Sequence, residues 1–236
     1  MSDRGVIFSA PMVRALLAGT KTQTRRLIKL DTAKLSPPFH PERRGARQWV
    51  FMQRDDAPGY SFAGGDFTVP YAPGDRLYVR EAWAEVGSMD PGLIVTRADY
   101  PACVPPQYEN VPLESEIKWK PSIHHPRRAS RLWLSVTDVR VQRLQDISRE
   151  DAIAEGLIHV AGVIEPDWWR LPEPLHQGTW LSPVAAYRWL WDSLHTKPGE
   201  RWEDNPWIVA VSFDVHHGNI DASAPDPEII PEIGEG

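Results

Sequence analysis

Cysteine is almost absent from this chain, and so is any long apolar run. The single cysteine, Cys103, excludes a disulfide framework and the paired-cysteine patterns of zinc ribbons and fingers. The apolar stretch at residues 12–18 is broken by Arg14 and is far too short to span a bilayer, and no signal-peptide pattern is found. These absences predict a soluble cytoplasmic protein with no membrane partner.

An overall excess of positive charge is also lacking. The chain has 26 Lys and Arg against 32 Asp and Glu, so its formal net charge is −6, and a uniformly basic nucleic-acid coat is excluded. The charge is uneven, however, because residues 1–54 carry +8 and residues 118–149 carry +6. We expect these two basic segments to lie on one face. Residues 217–236 contain five acidic side chains and no Lys or Arg, and are predicted to form a flexible tail.

Proline is abundant, at 23 of 236 residues, which is about twice the usual share and favours short strands joined by loops. Residues 6–8, 76–86, 131–144 and 207–215 have strand patterns, and residues 11–18 and 148–156 have helix patterns ended by glycine. Gly64-Gly65-Asp66 predicts a hairpin turn. This order predicts an α+β fold, a small mixed β-barrel with flanking helices, in one domain over residues 1–216. Three insertions interrupt it, at about 30–73, 87–117 and 159–205.

The third insertion contains several tryptophans and one further helix pattern. Ser182-Pro183 is a helix start, and the apolar residues that follow include Tyr187, Leu190, Trp191 and Leu194. We expect this segment to be a packed lid or flank of the main fold.

Four ordered segments together resemble the ASCH domain, a branch of the PUA-like superfamily. They are GTKTQTRR after the first helix, PGDRLYVREAW, WKPSIHHPRRASRLWLSVTDVRV and DISREDAIAEGL. The resemblance covers about the core half of the chain. It implies a β-barrel whose cleft is lined by the turn that carries Gly19, Lys21 and Thr24.

The resemblance also implies an activity. Small bacterial proteins similar in this motif are amidohydrolases that remove acyl groups from N4 of cytidine with a Lys, a Thr and a Glu. Lys21 and Thr24 match the first two in spacing, and Glu155 matches the third through its Ala-x-x-Glu context. The reaction needs no metal and no organic cofactor, and the implied partner is a modified nucleoside or RNA.

The three residue types suit amide hydrolysis, which needs a nucleophile and a base to take its proton. Lys21, with a pKa lowered by burial and by Arg25 and Arg26, would be the base for the Thr24 hydroxyl. Glu155 would orient Lys21 and move a proton to the leaving amine, and Glu81 is a competing carboxylate. The alternative for Lys21 and Arg25 is plain phosphate binding at a helix-to-strand turn.

A second set of residues is predicted to contact substrate or nucleic acid. It consists of Arg25, Arg26, Glu81, Trp83, His124, Arg127 and Arg128. Adjacent residues of an extended chain point to opposite faces, so His124 and His125 are not predicted to share a metal. The alternative function is an RNA-binding module, or a ribonuclease, that reads a base in the same basic cleft.

Overall fold

A computed structural model describes residues 3–29, 39–54, 60–87, 92–161, 167–173, 175 and 178–222. Within these ranges the protein is a mixed α+β fold, rich in sheet. The strands are β1 (Asp3–Ile7), β2 (Gln23–Leu27), β3 (Phe39–Arg43), β4 (Gln48–Arg54), β5 (Tyr60–Thr68), β6 (Arg76–Arg80), β7 (Trp83–Val86), β8 (Leu93–Thr96), β9 (Leu132–Arg143), β10 (Ile158–Val160), β11 (Trp168–Arg170), β12 (Thr179–Trp180) and β13 (Trp207–His217). The α-helices are α1 (Ala10–Leu17), α2 (Arg149–Ala154) and α3 (Pro183–Leu194). None of these helices has the length and apolar character needed to cross a membrane.

A five-stranded sheet is the centre of the fold, in the order β1–β6–β9–β13–β2. β1 runs parallel to β6, and the other neighbouring pairs are antiparallel. In this register Thr24 of β2 lies opposite Val211 of β13, and Arg25 lies opposite Ala210. β2, near the start of the chain, and β13, near its end, thus share one sheet. Their pairing fixes the positions of the β2 side chains.

The two longest strands, β9 and β13, supply most of the sheet's buried surface. Leu132, Leu134 and Val136 alternate with less buried neighbours on β9, as expected for a strand with one face in the core. β13 is buried at five consecutive positions from Trp207 to Val211, as expected for a strand covered on both faces. The strands predicted at 131–144 and 207–215 are confirmed.

The helices follow their predicted start signals, and α1 and α2 also end at their predicted glycines. α1 has Pro11 in its first turn and buries Val13 and Leu16. The Ser148 hydroxyl accepts a hydrogen bond from the Asp151 N–H at the start of α2, and the Ser182 hydroxyl accepts one from the Ala185 N–H at the start of α3. Such caps satisfy N–H groups that have no partner within the helix.

The insertions carry smaller sheets that pack on the same core. The first contains the antiparallel sheet β3–β4–β5, and the third contains β10–β11–β12 followed by α3. Phe51 of the first and Trp169 and Trp191 of the third belong to one buried cluster with the central strands. The insertions are therefore integrated into the fold.

The predicted hairpin turn at Gly64-Gly65-Asp66 is wrong. These residues lie within strand β5, which pairs with β4 through two irregularities of register around Phe51. Glycine inside a strand often marks a bulge, and Gly65 has a positive φ of 75° there. The chain between β4 and β5, residues 55–59, lies outside the described residues.

The strand pattern at residues 76–86 is interrupted in the structure. β6 ends at Arg80 and pairs with β9, whereas β7 begins at Trp83 and pairs with β8. Glu81, between them, is 1% exposed and forms an ion pair with Arg131. The alternation of burial continues through Glu81 to Trp83, but the strand is divided because its two halves pair with different partners.

The closed barrel is not confirmed. In the described residues no ladder joins the edge strands β1 and β2, and the Arg26 Nη2 donates to the Ile7 carbonyl at 2.8 Å between them. Of the predicted tail, His217 ends β13, and residues 223–236 lie outside the described residues.

Candidate functional site

A tight turn between α1 and β2 carries Lys21 into the interior. The Ala15 carbonyl accepts hydrogen bonds from the N–H groups of Thr20 and Lys21 at 3.0 and 3.1 Å. Gly19 adopts a φ of 70°, a conformation that glycine takes without the steric cost other residues pay. The helix therefore ends in a turn that points the next side chain inward.

The same turn is fastened to the end of α2. The Thr22 N–H donates to the Ala154 carbonyl at 2.9 Å, and Lys21 forms an isolated antiparallel bridge with Glu155. Gly156, with a φ of 100°, lies so close that a Cβ on it would be 3.2 Å from the Lys21 Cβ. A glycine is thus required for the two segments to meet.

Lys21 and Glu155 form a buried ion pair, with only 2% and 4% of their side chains exposed. The Lys21 Nζ donates to Glu155 Oε2 at 2.8 Å and to the Glu155 backbone carbonyl at 2.9 Å. Burial lowers the pKa of Lys21 below its ordinary value, although the Glu155 carboxylate acts to raise it. A neutral amine keeps two hydrogens for these acceptors and a lone pair that can take a proton.

A chain of charges continues behind Glu155. Arg25 donates to Glu155 Oε1 at 3.1 Å and to Asp151 Oδ2 at 2.7 Å. Asp151 also accepts from Arg140 at 2.8 Å and from Gln23 at 3.1 Å. Burial acts to raise the pKa of Asp151, but these hydrogen bonds and the charge of Arg25 lower it overall. Both oxygens of Glu155 are therefore engaged by cations, and its position is fixed.

Thr24 lies on β2 between Gln23 and Arg25. It is 5% exposed, and its hydroxyl makes no hydrogen bond to any other residue in the described part of the chain. A buried hydroxyl ordinarily has a partner. The Thr24 hydroxyl is thus available to a bound molecule.

Lys21, Thr24, Arg25, Arg26 and Glu155 line one pocket of about 260 Å³. Its opposite wall is mostly apolar and comes from the chain around Phe8 and Met12 and from α3. The volume is slightly below the roughly 300–1,000 Å³ of drug-sized sites, which suits a group the size of a single base. Lys21, Thr24 and Glu155 thus line one pocket and Lys21 contacts Glu155, while the expected approach of Lys21 to Thr24 and the catalytic role of all three stay predictions.

Arg26 lies at the edge of this pocket toward β1. Its guanidinium lies 5.3 Å from the centre of the Phe8 ring, and Lys21 Nζ lies 5.7 Å from the same ring. Attraction of cations to the ring face adds to the fixation of both side chains.

Tyr187 on α3 is a pocket residue that the sequence did not indicate as functional. It is 3% exposed, and the Arg25 guanidinium lies 5.7 Å from its ring centre. Burial raises its pKa well above the ordinary value, and the charge of Glu155 acts in the same direction. The helix was predictable from its Ser-Pro start, but only the folded chain shows that this face of α3 covers the turn at Lys21.

Glu81 and Trp83 do not join this site. Glu81 is buried against Arg131, with its two carboxylate oxygens 2.9 and 3.0 Å from the guanidinium, and burial raises its pKa. Trp83 is 6% exposed, with the Lys120 Nζ 4.4 Å from its ring centre. Both residues stabilise the junction of β6 and β7.

The loop with His124, Arg127 and Arg128 also lies away from the pocket lining. His124 and Arg128 are exposed. Arg127 forms ion pairs at 2.6 Å with Asp3 and with Asp221, so it links the start of β1 to the chain after β13. The expected meeting of the two basic segments around one cleft is not observed at this pocket.

In the described residues, no group of three or more His, Cys, Asp and Glu side chains is arranged to hold a metal ion. Comparisons of the chain with protein-family models, with curated proteins and with solved structures found no match, so the site is interpreted from its own chemistry.

Proposed function

We propose that the chain is an ASCH-type amidohydrolase that hydrolyses the N4-acyl amide of cytidine or of a related modified nucleoside. The proposal includes the closed PUA-like barrel of that family. The observation that carries it is the buried Lys21–Glu155 pair, which shares one pocket with a Thr24 hydroxyl that has no partner in the described chain.

In the first step the Thr24 oxygen attacks the acyl carbon, and the Lys21 amine takes the hydroxyl proton. The carbonyl electron pair moves onto oxygen and then returns, which breaks the bond from carbon to N4. The Lys21 ammonium gives its proton to N4, so cytidine leaves with a free amino group and the acyl group remains as an ester on Thr24.

In the second step a water molecule attacks the ester, and Lys21 again takes the proton. Thr24 leaves as its hydroxyl after accepting that proton from Lys21, and the acyl group departs as a carboxylic acid. The sum is amide plus water to acid plus amine. The same lysine serves in both steps, because it alternates between amine and ammonium.

Glu155 supports Lys21 by holding two of its hydrogens. Since Arg25 and Lys21 occupy both carboxylate oxygens, Glu155 fits a positioning role better than direct proton transfer. This arrangement fixes the direction of the remaining lone pair of the amine, which is the condition for efficient proton removal.

RNA binding is the competing function, and ion pairs weaken its case. Much of the positive charge in residues 118–149 is compensated by nearby carboxylates, as in Arg127 with Asp221, Arg131 with Glu81 and Arg140 with Asp151. Compensated arginines release fewer counterions from a polynucleotide than free ones, so less affinity is expected from them.

The test is hydrolysis of N4-acetylcytidine by purified protein, followed by ultraviolet absorbance between pH 6 and 9. We expect turnover by the wild-type chain and a loss of at least about 100-fold in kcat for Thr24→Ala and for Lys21→Ala. Thr22→Ala, a change at an exposed position of the same turn, is the matched control and should retain full activity.

Absence of turnover by the wild type across this pH range would refute the enzyme. In that case, salt-dependent RNA binding that survives Thr24→Ala would establish the binding module. Cleavage of RNA that is lost in Lys21→Ala would instead indicate a ribonuclease.

A further inference from the structure

The proposed reaction places negative charge on the acyl oxygen, and the pocket needs a donor for it. A hydrogen bond to such an oxyanion is among the largest single contributions to acyl transfer. Most cationic donors of the pocket are already used. Two Lys21 hydrogens go to Glu155, and the two terminal nitrogens of Arg25 go to Gln23, Glu155 and Asp151.

Three further arginine nitrogens are closed to a ligand or already used. The Nε atoms of Arg25 and Arg26 have no hydrogen-bond partner, but they are buried from solvent, so a molecule in the pocket cannot reach them without rearrangement. The Nη2 of Arg26 donates to the Ile7 carbonyl. This leaves Arg26 Nη1, on a side chain tied to β1, and the donors of the wall that α3 contributes.

Tyr187 meets this requirement. Its side chain lines the pocket together with Lys21 and Thr24, and its hydroxyl makes no hydrogen bond to any residue in the described part of the chain. The hydroxyl is not one of the partnerless side-chain atoms that are closed to solvent, so a molecule in the pocket can accept a hydrogen bond from it.

The ring is also held in place. It packs between Trp191 at 6.3 Å and Trp202 at 6.5 Å, measured between ring centres, and lies under the Arg25 guanidinium. Burial raises the pKa of Tyr187 well above its ordinary value and lowers that of Lys21, so Lys21 loses its proton before the hydroxyl does. A fixed and protonated donor costs no reorganisation during the reaction.

We propose that Tyr187 is a catalytic residue whose hydroxyl donates a hydrogen bond to the acyl oxygen as negative charge develops there. This inference rests on the proposed amidohydrolase function. It assigns to α3, a part of the third insertion, a component of the catalytic machinery. No proton is transferred from Tyr187, and the hydrogen bond weakens again when the carbonyl reforms.

The experiment compares wild type with Tyr187→Phe, which keeps the ring and removes only the hydroxyl. We expect kcat on N4-acetylcytidine to fall about 100- to 1,000-fold with KM changed less than twofold. N4-ethylcytidine has no carbonyl, so its Kd should be the same for both proteins. Tyr71→Phe is the matched control, since Tyr71 is partly buried against the core outside the pocket.

The possible failures are distinct. If the wild type is active and the kcat of Tyr187→Phe is within threefold of the wild-type value, the catalytic role of Tyr187 is overturned. The proposed amidohydrolase function is then unaffected. A rise in KM and in the Kd of N4-ethylcytidine with kcat unchanged shows a hydroxyl that only binds the substrate in its ground state, and also overturns the catalytic role. A wild type that binds N4-ethylcytidine but hydrolyses nothing refutes the proposed function itself, and the inference with it.

Discussion

At Lys21, two physical effects act in opposite directions on one pKa. Removal from water favours the neutral amine, whereas the nearby Glu155 carboxylate favours the ammonium, and the first effect is the larger. A base in the proposed reaction must be deprotonated, so the rate should rise with pH as Lys21 loses its proton. This acidic limb should lie below the pH at which a free lysine titrates.

Replacement of Glu155 by Gln tests this balance. The change removes the negative charge that favours the ammonium, so the pKa of Lys21 should fall further. We expect the acidic limb of kcat/KM to move to lower pH by about one unit or more, even though the maximal rate drops through loss of alignment. The measurement is a pH–rate profile of Glu155→Gln.

Glu150→Gln is the control for this prediction, since Glu150 is an exposed residue of the same helix. Its profile should match that of the wild type. If the limb of Glu155→Gln stayed in place or moved to higher pH, Lys21 would not be the titrating base.

Among elements, the short helix α2 decides where the carboxylate lies. It ends at Ala154, and Glu155 caps it and turns directly into Gly156. At this glycine a left-handed backbone coincides with close packing, because an added Cβ would also lie 3.1 Å from the Ala15 Cβ of α1. The left-handed turn after α2 and the contact of α2 with α1 thus both require glycine at position 156.

Gly156→Ala should therefore destabilise the protein and disturb the site. We expect a loss of about 1–3 kcal/mol in the free energy of unfolding from the strained backbone, together with lower activity because Lys21 is displaced. Urea denaturation and the acylcytidine assay provide the two measurements. Gly199→Ala is matched in backbone, with a φ of 81°, but has nothing within 4 Å, so it should lose stability and keep activity.

The sequence predicted the helices and strands that have strong local signals. It failed where the structure depends on which strands pair with each other. The starts of α1, α2 and α3 and the ends of α1 and α2 were predictable because caps, prolines and glycines act within a few residues. The glycine pair at 64–65 was misinterpreted, because a bulge and a turn use the same residues and only the partner strand distinguishes them. The placement of Glu155 beside Lys21 was predicted from the family resemblance. The placement of Tyr187 in the pocket was predicted neither from local sequence signals nor from the resemblance, because it depends on how the third insertion packs.

For the molecule as a whole, one buried histidine couples stability to pH. His125 is 2% exposed, packs edge-on against Trp83, and neither ring nitrogen has a partner in the described residues. Burial lowers its pKa to about 4, and the charges of Arg80 and Arg131 contribute. Between that value and its ordinary value of 6.5, the unfolded chain binds more protons than the folded one.

The free energy of unfolding should therefore fall as the pH drops from about 6.5 toward about 4. We expect a loss of up to about 1.4 kcal/mol per pH unit in the wild type relative to His125→Phe, which has no such group to titrate. Urea denaturation at pH 7 and pH 5 measures the difference. His124→Phe, at the exposed neighbouring position, should behave as the wild type, and equal pH dependence in His125→Phe would contradict the argument.

The pairing of β2 with β13 has a consequence for synthesis on the ribosome. β2 leaves the ribosome early, but the strand that completes its hydrogen bonds is made near the end of translation. At about 5–20 residues per second, β2 waits on the order of ten seconds or more without its partner. Thr24 and Arg25, which are buried in the folded protein, stay exposed to water and to chaperones during that time, so the pocket cannot form until the chain is nearly complete.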